Sequence, residues 1–207
     1  MAVRPSLLGT DPTVGGDSGA HDPYLVALGL PPAAVAALSR YLDLVAAWNP
    51  RVNLTGARTP AARVAILAAP VVPVAPVLEA GLLLDIGSGN GSPGLVLAAL
   101  RPDLPVTLLE PRQRRWAFLR EAARVVGRAD VDVKRARHDG YAGPPAQTVS
   151  LRALALPLRE VAPLVAPGGR VLSWGPPWPA SADFTAEPSP ARGVHALRRA
   201  AEVSRST

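Results

Sequence analysis

The stretch Leu82–Gly94, LLLDIGSGNGSPG, decides how this chain is read. An apolar run stops at Asp85 and Ile86 and gives way to glycines at 87, 89, 91 and 94, the pattern of a strand turning sharply into a helix. Such a turn lets a ligand approach the backbone and offers it amide N–H groups at the helix N-terminus. Two ligands fit the spacing. Gly89, Gly91 and Gly94 satisfy the GxGxxG dinucleotide fingerprint, whereas Asp85, Gly87, Gly89 and Gly91 spell a DxGxGxG turn suited to a different adenosine ligand. At the end of its strand, Asp85 is expected to point into the ligand space. A pyrophosphate there would meet a like charge, costing ~4 kcal/mol at about 4 Å and an effective dielectric of about 20. A ligand carrying an ammonium and a sulfonium would be attracted, so the loop is read as a site for S-adenosyl-L-methionine.

Working outward, the strand LLLDI is followed by a helix near 93–100, strand PVTLLE, a helix over 112–126, strand VDVKR, strand QTVSL, helix LPLREVAPLV and strand GRVLSW. Strands alternating with helices imply right-handed crossovers and a mostly parallel sheet covered on both faces. The fold class is α/β with a Rossmann-like sheet over residues 81–175. Upstream, PPAAVAALSRYLDLVAAWN places Val35, Leu38, Leu42, Val45 and Trp48 at helical spacing, with prolines where a first turn tolerates them. A second helical stretch near 60–69 leads into APVVPVAPVLEAG, expected to be an extended connection, so residues 23–80 form a helical N-terminal extension. Residues 1–22 are polar and aperiodic and are expected to be a flexible leader. After Trp174 the segment GPPWPASADFTAEPSPARG is expected to be a loop and VHALRRAAEV at best a short helix, making 176–207 an irregular or truncated C-terminus.

Composition bounds the function. The chain has 207 residues and no cysteine, which excludes disulfides, thiolate metal sites and cysteine nucleophiles and suits a reducing cytoplasm. Three dispersed histidines form no ligand cluster, so no metal is expected. Neither a signal peptide nor an uninterrupted membrane-length apolar run is evident, and a cytoplasmic protein without a membrane partner is expected, as a monomer. The net charge of +6 favours a polyanionic partner such as RNA. Much of that charge lies in and beyond the helix after the second strand, where Arg112, Arg114 and Arg115 are the candidate RNA contacts.

Two further acids complete a cofactor pattern. Glu110 ends the second strand about twenty residues past the glycine turn, where a carboxylate can accept both ribose hydroxyls. Asp139, in RARHDGY just past the third strand, is placed to meet an adenine amino group or simply to make a turn beside Gly140.

These residues resemble the bacterial glucose-inhibited division protein B (RsmG) family from about Leu38 to Gly175. Trp48, Asn49, Asn53, Leu54 and Thr55 match its WNxxxNLT signature, and DIGSGNGSPGLVLA matches DxGxGxGxPGxxLA. RPDLPVTLLEPRQRRWAFLRE, RARHDG and VSLRALA continue the match. The resemblance implies a class I methyltransferase that moves a methyl group from S-adenosylmethionine to N7 of one guanine in small-subunit (16S) ribosomal RNA. It implies cofactor contacts at Gly87, Ser92, Glu110, His138, Asp139 and Arg152, with Arg152 also completing the substrate pocket, and these join Asp85, Gly89 and Gly91 from the loop pattern.

The chain departs from the pattern where the family has HxxDS and this sequence has Ala65, Ala68 and Ala69. Pro111, Arg114, Leu151 and Trp174 replace a serine, a lysine, a serine and a lysine, and the terminal β-hairpin of the fold is not evident after Gly175. Guanine N7 carries a free lone pair, so no general base is expected and catalysis rests on orientation. Three readings compete with this one: a methyltransferase of another substrate, a non-catalytic RNA- or cofactor-binding remnant, and a dinucleotide oxidoreductase, which Asp85 opposes.

Overall fold

In a computed structural model, residues 19–179 and 181–201 are described, so the leader expectation for 1–18 lies outside them. Residues 19–22 are not part of a leader. His21 is buried against Asp43, Nδ1 to Oδ1 2.9 Å, and Asp22 opens a short helix, α1 (Asp22–Val26), whose Leu25 enters the core.

α2 (Pro32–Val52) begins at the proline pair, as its spacing requires, and buries Val35, Leu38, Tyr41, Leu42 and Val45 on one stripe. It ends because Asn53 adopts the left-handed conformation, φ 52°, while its N–H still reaches Asn49 O. α3 (Pro60–Arg63), capped by the Thr59 side chain, runs into a π turn over Val64–Ala68. The APVVPVAPV segment is not extended. It winds into a 3₁₀ helix, Val72–Val77, because Val71, Val74 and Ala75 then reach the core together. By length and composition Pro60–Val77 could cross a membrane. Here its winding changes twice, and Val64, Leu67, Ala68, Val71 and Val74 pack inside the protein.

The sheet then follows the expected alternation: β1 (Leu83–Ile86), α4 (Gly94–Leu100), β2 (Val106–Leu109), α5 (Gln113–Val125), β3 (Asp132–Lys134), β4 (Ala146–Arg152), α6 (Leu158–Val161) and β5 (Val165–Trp174). Strands β1 to β5 are parallel in the order β3-β2-β1-β4-β5. The order in which strands are added reverses between β1 and β4, which opens a crevice at the carboxyl ends of those parallel strands. Alternation along β1 sends Leu83 to the core beneath α2, α4 and α5, and Leu84 and Ile86 to the opposite core with Val149, Leu151 and Val161.

The C-terminal expectation is corrected. Residues 176–207 are not irregular where described: β6 (Phe184–Glu187) and β7 (His195–Arg199) form an antiparallel hairpin, and β7 pairs antiparallel with β5 to complete a seven-stranded sheet. HALRR is a strand because Arg198 is neutralised across the fold. Its Nε donates to Glu187 Oε1 (2.7 Å) and its Nη2 to Glu79 Oε1 (2.7 Å), while Arg170 Nη2 reaches Glu79 Oε1 at 2.9 Å.

Candidate functional site

The crevice holds a cavity of about 490 Å³, walled by the Gly87–Asn90 loop, Glu110–Arg112, Arg152–Leu154 and the Ile66–Leu67 turn. That volume suits a nucleoside-sized ligand. Each wall is set by a local feature of the sequence.

Gly94 allows α4 to start against the sheet. A Cβ there would lie 2.5 Å from Asp85 Cβ and 2.6 Å from Leu108 Cδ2. Gly89 takes φ +53° and turns its N–H onto Glu110 Oε2 at 3.0 Å. Glu110 Oε1 accepts the Arg112 N–H at 2.8 Å. The carboxylate therefore ties the loop after β1 to the loop after β2 and borders the cavity, where the sequence places it.

Asp85 does not point into the ligand space. It is fully buried, its Oδ1 accepts the Ser150 hydroxyl at 2.6 Å, and its Oδ2 has no hydrogen-bond partner. Strand alternation, rather than position at the strand end, sets its direction and sends it beneath the loop toward α4. Burial pushes its carboxyl up to about 6, against the opposing pull of the Ser150 hydroxyl. The acid at the cavity is Glu110 alone among the described carboxylates.

Arg152 closes the far wall. Its Nη1 donates to Ser92 Oγ (2.7 Å) and its Nη2 to Ile66 O (2.7 Å), while Ser92 Oγ donates to Leu67 O (2.7 Å). Partial burial lowers the guanidinium's pKa without neutralising it. Both helical partners are backbone carbonyls at the end of the π turn, groups a helix terminus leaves free. The alanines at 65, 68 and 69 therefore do not prevent this wall from forming. Ala153, next in the chain, is held at φ 52°, an uncommon conformation for a residue with a Cβ, and Leu154 covers Gly87.

Several contributors were missed from sequence. Tyr41, fully buried on α2, donates its hydroxyl to Asn90 O at 2.8 Å, and burial pushes its pKa far upward. Asn90 Nδ2 donates to Leu54 O (3.1 Å), and Asn49 Oδ1 accepts from the Leu54 and Thr55 N–H groups at 2.7 and 2.9 Å. The WNxxxNLT residues thus brace the glycine loop from the N-terminal extension. Arg137 also borders the cavity.

Other expected site residues lie outside the cavity wall. Gly91 packs where a Cβ would lie 3.3 Å from Tyr41 and Leu95. His138 is buried with Nε2 2.9 Å from Glu160 Oε2, and Asp139 is exposed and paired with Arg137 at 3.3 Å. Of the candidate RNA contacts, Arg112 and Arg115 border the cavity while Arg114 faces a separate cleft. Among the described residues no group of three potential metal ligands occurs.

Comparison with known proteins is consistent with this geometry. The family described as rRNA small subunit methyltransferase G matches residues 34–173. Ribosomal RNA small subunit methyltransferase G of Xanthomonas oryzae pv. oryzae is 35% identical over 158 residues, covering 76% of this chain and 73% of that protein. Its namesake in Halorhodospira halophila is 37% identical over 144 residues, 68% of each chain. Among solved structures, a putative methyltransferase yhhF from Escherichia coli superposes with TM-score 0.51 at 17% identity, covering 62% of this chain and 82% of that one. TrmN from Thermus thermophilus gives TM-score 0.50 at 23% identity, covering 75% and 53%. These structural likenesses establish the fold.

Proposed function

This chain belongs to the rRNA small subunit methyltransferase G family, and on that premise we propose that it methylates N7 of a guanine in 16S ribosomal RNA, using S-adenosylmethionine as the methyl donor. The observation that carries the site assignment is the buried Glu110 carboxylate at the end of β2, bordering a cavity of about 490 Å³ whose other wall is glycine backbone. A carboxylate so placed accepts ribose hydroxyls, and the Gly87–Gly89 backbone leaves room for the methionine portion.

When bound, the cofactor supplies an electrophilic methyl group. The residues of the chain then bind and orient. Glu110, with its two amide contacts already made, fixes the ribose end. Arg152, anchored by Ser92 and Ile66, holds the opposite wall and presents a cation to the incoming nucleotide. Ala153 and Leu154 set the rim over Gly87. No proton must leave guanine N7, so placing the lone pair in line with the methyl group supplies most of the catalysis. Arg112 and Arg115, at the cavity border, meet the RNA backbone. His138 and Asp139 act at one remove, by holding the loop that presents Arg137. Asp85 packs beneath the loop, bonded to Ser150, in the room that Gly94 leaves.

An RNA substrate in the small ribosomal subunit supports a cytoplasmic location. The test is transfer of label from radiolabelled S-adenosylmethionine to 16S ribosomal RNA, followed by nucleoside analysis. Labelled 7-methylguanosine is expected. Label in another nucleoside would assign a different target, and its absence with intact cofactor binding would favour a non-catalytic remnant.

A further inference from the structure

Between the C-terminal turn of α2 and the first turns of α5 lies a second cleft, about 720 Å³, lined by Trp48, Arg51, Val52, Gln113, Arg114 and Ala117. One ridge separates it from the cofactor cavity. Arg112 and Arg115 border the cavity, Gln113 and Arg114 border the cleft, and Arg115 Nη2 donates to Asn53 O at 3.2 Å, closing the ridge onto the end of α2.

The cleft combines three chemistries. It holds no carboxylate, and neither Arg51 nor Arg114 makes an ion pair or side-chain hydrogen bond among the described residues. Elsewhere, arginines such as Arg101, Arg128 and Arg198 are tied to carboxylates at 2.6–2.7 Å. Two free cations in one concavity make a phosphate site. An aromatic ring lies beside them. Trp116, Trp174 and Trp178 each donate the indole N–H to a backbone carbonyl at 2.9 Å, whereas Trp48 makes no such bond among the described residues. Phe118 holds the Trp48 ring edge-on, centroids 5.7 Å apart, with part of the ring left in the cleft. Val52 and Ala117 are apolar, and Gln113 supplies an amide able to donate and accept. An acidic protein segment would satisfy the arginines but would leave the ring and the apolar surface without a function.

We propose that this cleft holds one nucleotide of a single-stranded RNA segment adjoining the nucleotide to be methylated, with phosphate between Arg51 and Arg114 and the base against Trp48. The proposal rests on the ribosomal RNA reading above. The separation of cleft from cavity by a single helical turn lets one strand occupy both.

The test uses fluorescence anisotropy with a labelled, mixed-sequence eight-nucleotide single-stranded RNA and the full chain saturated with S-adenosylhomocysteine. Three variants are compared with the parent: the pair Arg51→Gln with Arg114→Gln, the control pair Arg159→Gln with Arg192→Gln on other elements, and Trp48→Leu. The cleft pair is expected to weaken RNA binding about 10-fold or more and to lower the magnitude of the salt slope by about 0.7, the value for one phosphate contact on a single strand. The control pair is expected to cost clearly less. Trp48→Leu is expected to weaken binding about 5-fold with an unchanged salt slope, since it removes a stacking surface and no charge. Calorimetry with S-adenosylhomocysteine should give parental affinity throughout, which verifies folding. Equal losses for the cleft and control pairs would overturn the proposal while leaving the ribosomal RNA reading intact. A parent that binds S-adenosylhomocysteine but not RNA would overturn both. Competition by a ten-residue polyglutamate peptide as strong as that of unlabelled RNA would reassign the cleft to an acidic protein.

Discussion

The loop between β1 and α4 and the hairpin β6–β7 lie on the same sheet and are held by opposite means. The loop is held by short contacts among buried groups: Gly89 N–H and Arg112 N–H on Glu110, the Ser150 hydroxyl on Asp85, the Tyr41 hydroxyl on Asn90 O. The hairpin is held by partly exposed ion pairs joining Glu79, Arg170, Glu187 and Arg198, from segments far apart in the chain. Buried hydrogen bonds are little affected by salt, whereas exposed pairs are screened and individually weak. The binding loop is therefore rigid under conditions that loosen the hairpin, and the two regions should respond differently to the same perturbation.

The largest effect is expected at Gly94. Gly94→Ala places a methyl group 2.5 Å from Asp85 Cβ, and helix and strand must separate. Stability should fall by ~1–3 kcal/mol in denaturant unfolding. Affinity for S-adenosylhomocysteine should fall on the order of 100-fold in calorimetry. Parental affinity in this variant would break the claim that the loop is rigidly seated.

Next comes Glu110→Gln, which keeps the shape but loses the charge that accepts two amide N–H groups. Roughly 10- to 30-fold weaker binding of S-adenosylhomocysteine is expected, together with a loss of ~1–3 kcal/mol of stability, because the amide nitrogen cannot accept the second N–H. A change in stability without one in affinity would make Glu110 a structural strut only.

Asp85 sharpens the comparison through pH. Its carboxyl is raised from the ordinary 3.8 to about 6, so the folded protein favours the neutral form. Ionisation therefore costs the folded state stability as pH rises from about 4 through 6, by up to ~3 kcal/mol. Parent stability measured against Asp85→Asn should decline over that range and level off above it. A flat difference would show that the buried carboxyl does not titrate there.

The smallest effect belongs to the hairpin. Glu79 is held down to about 2, first by its hydrogen bond to Arg198, so its contribution is present above its ordinary pKa and is lost as pH falls from about 5 toward 2. The pairs are partly exposed, so Glu79→Gln should cost under ~1 kcal/mol at neutral pH, less in high salt. Cofactor affinity should not change. A large loss of affinity in Glu79→Gln would mean that loop and hairpin are coupled after all.

The same contrast explains what could be read from the residues alone. The loop was legible because its glycines, the apolar run before it and Glu110 lie in local patterns of period and spacing. The direction of Asp85 was not, since a strand-end position says nothing of which face its side chain takes until the register is known. The hairpin was hidden because HALRR carries charges that only Glu79 and Glu187, distant in sequence, make compatible with a strand. The 3₁₀ helix at Val72–Val77 was hidden by its prolines, which suit an extended chain equally well. Likewise, Tyr41 and Asn90 meet only through the docking of α2 on the loop, 49 residues apart.

Whether the cavity at β1 and β2 is a methyl-donor site is decided by titration calorimetry of the protein with S-adenosylhomocysteine beside NADH. Micromolar binding of S-adenosylhomocysteine and none of NADH is expected. Binding of NADH, or of neither ligand, would contradict it.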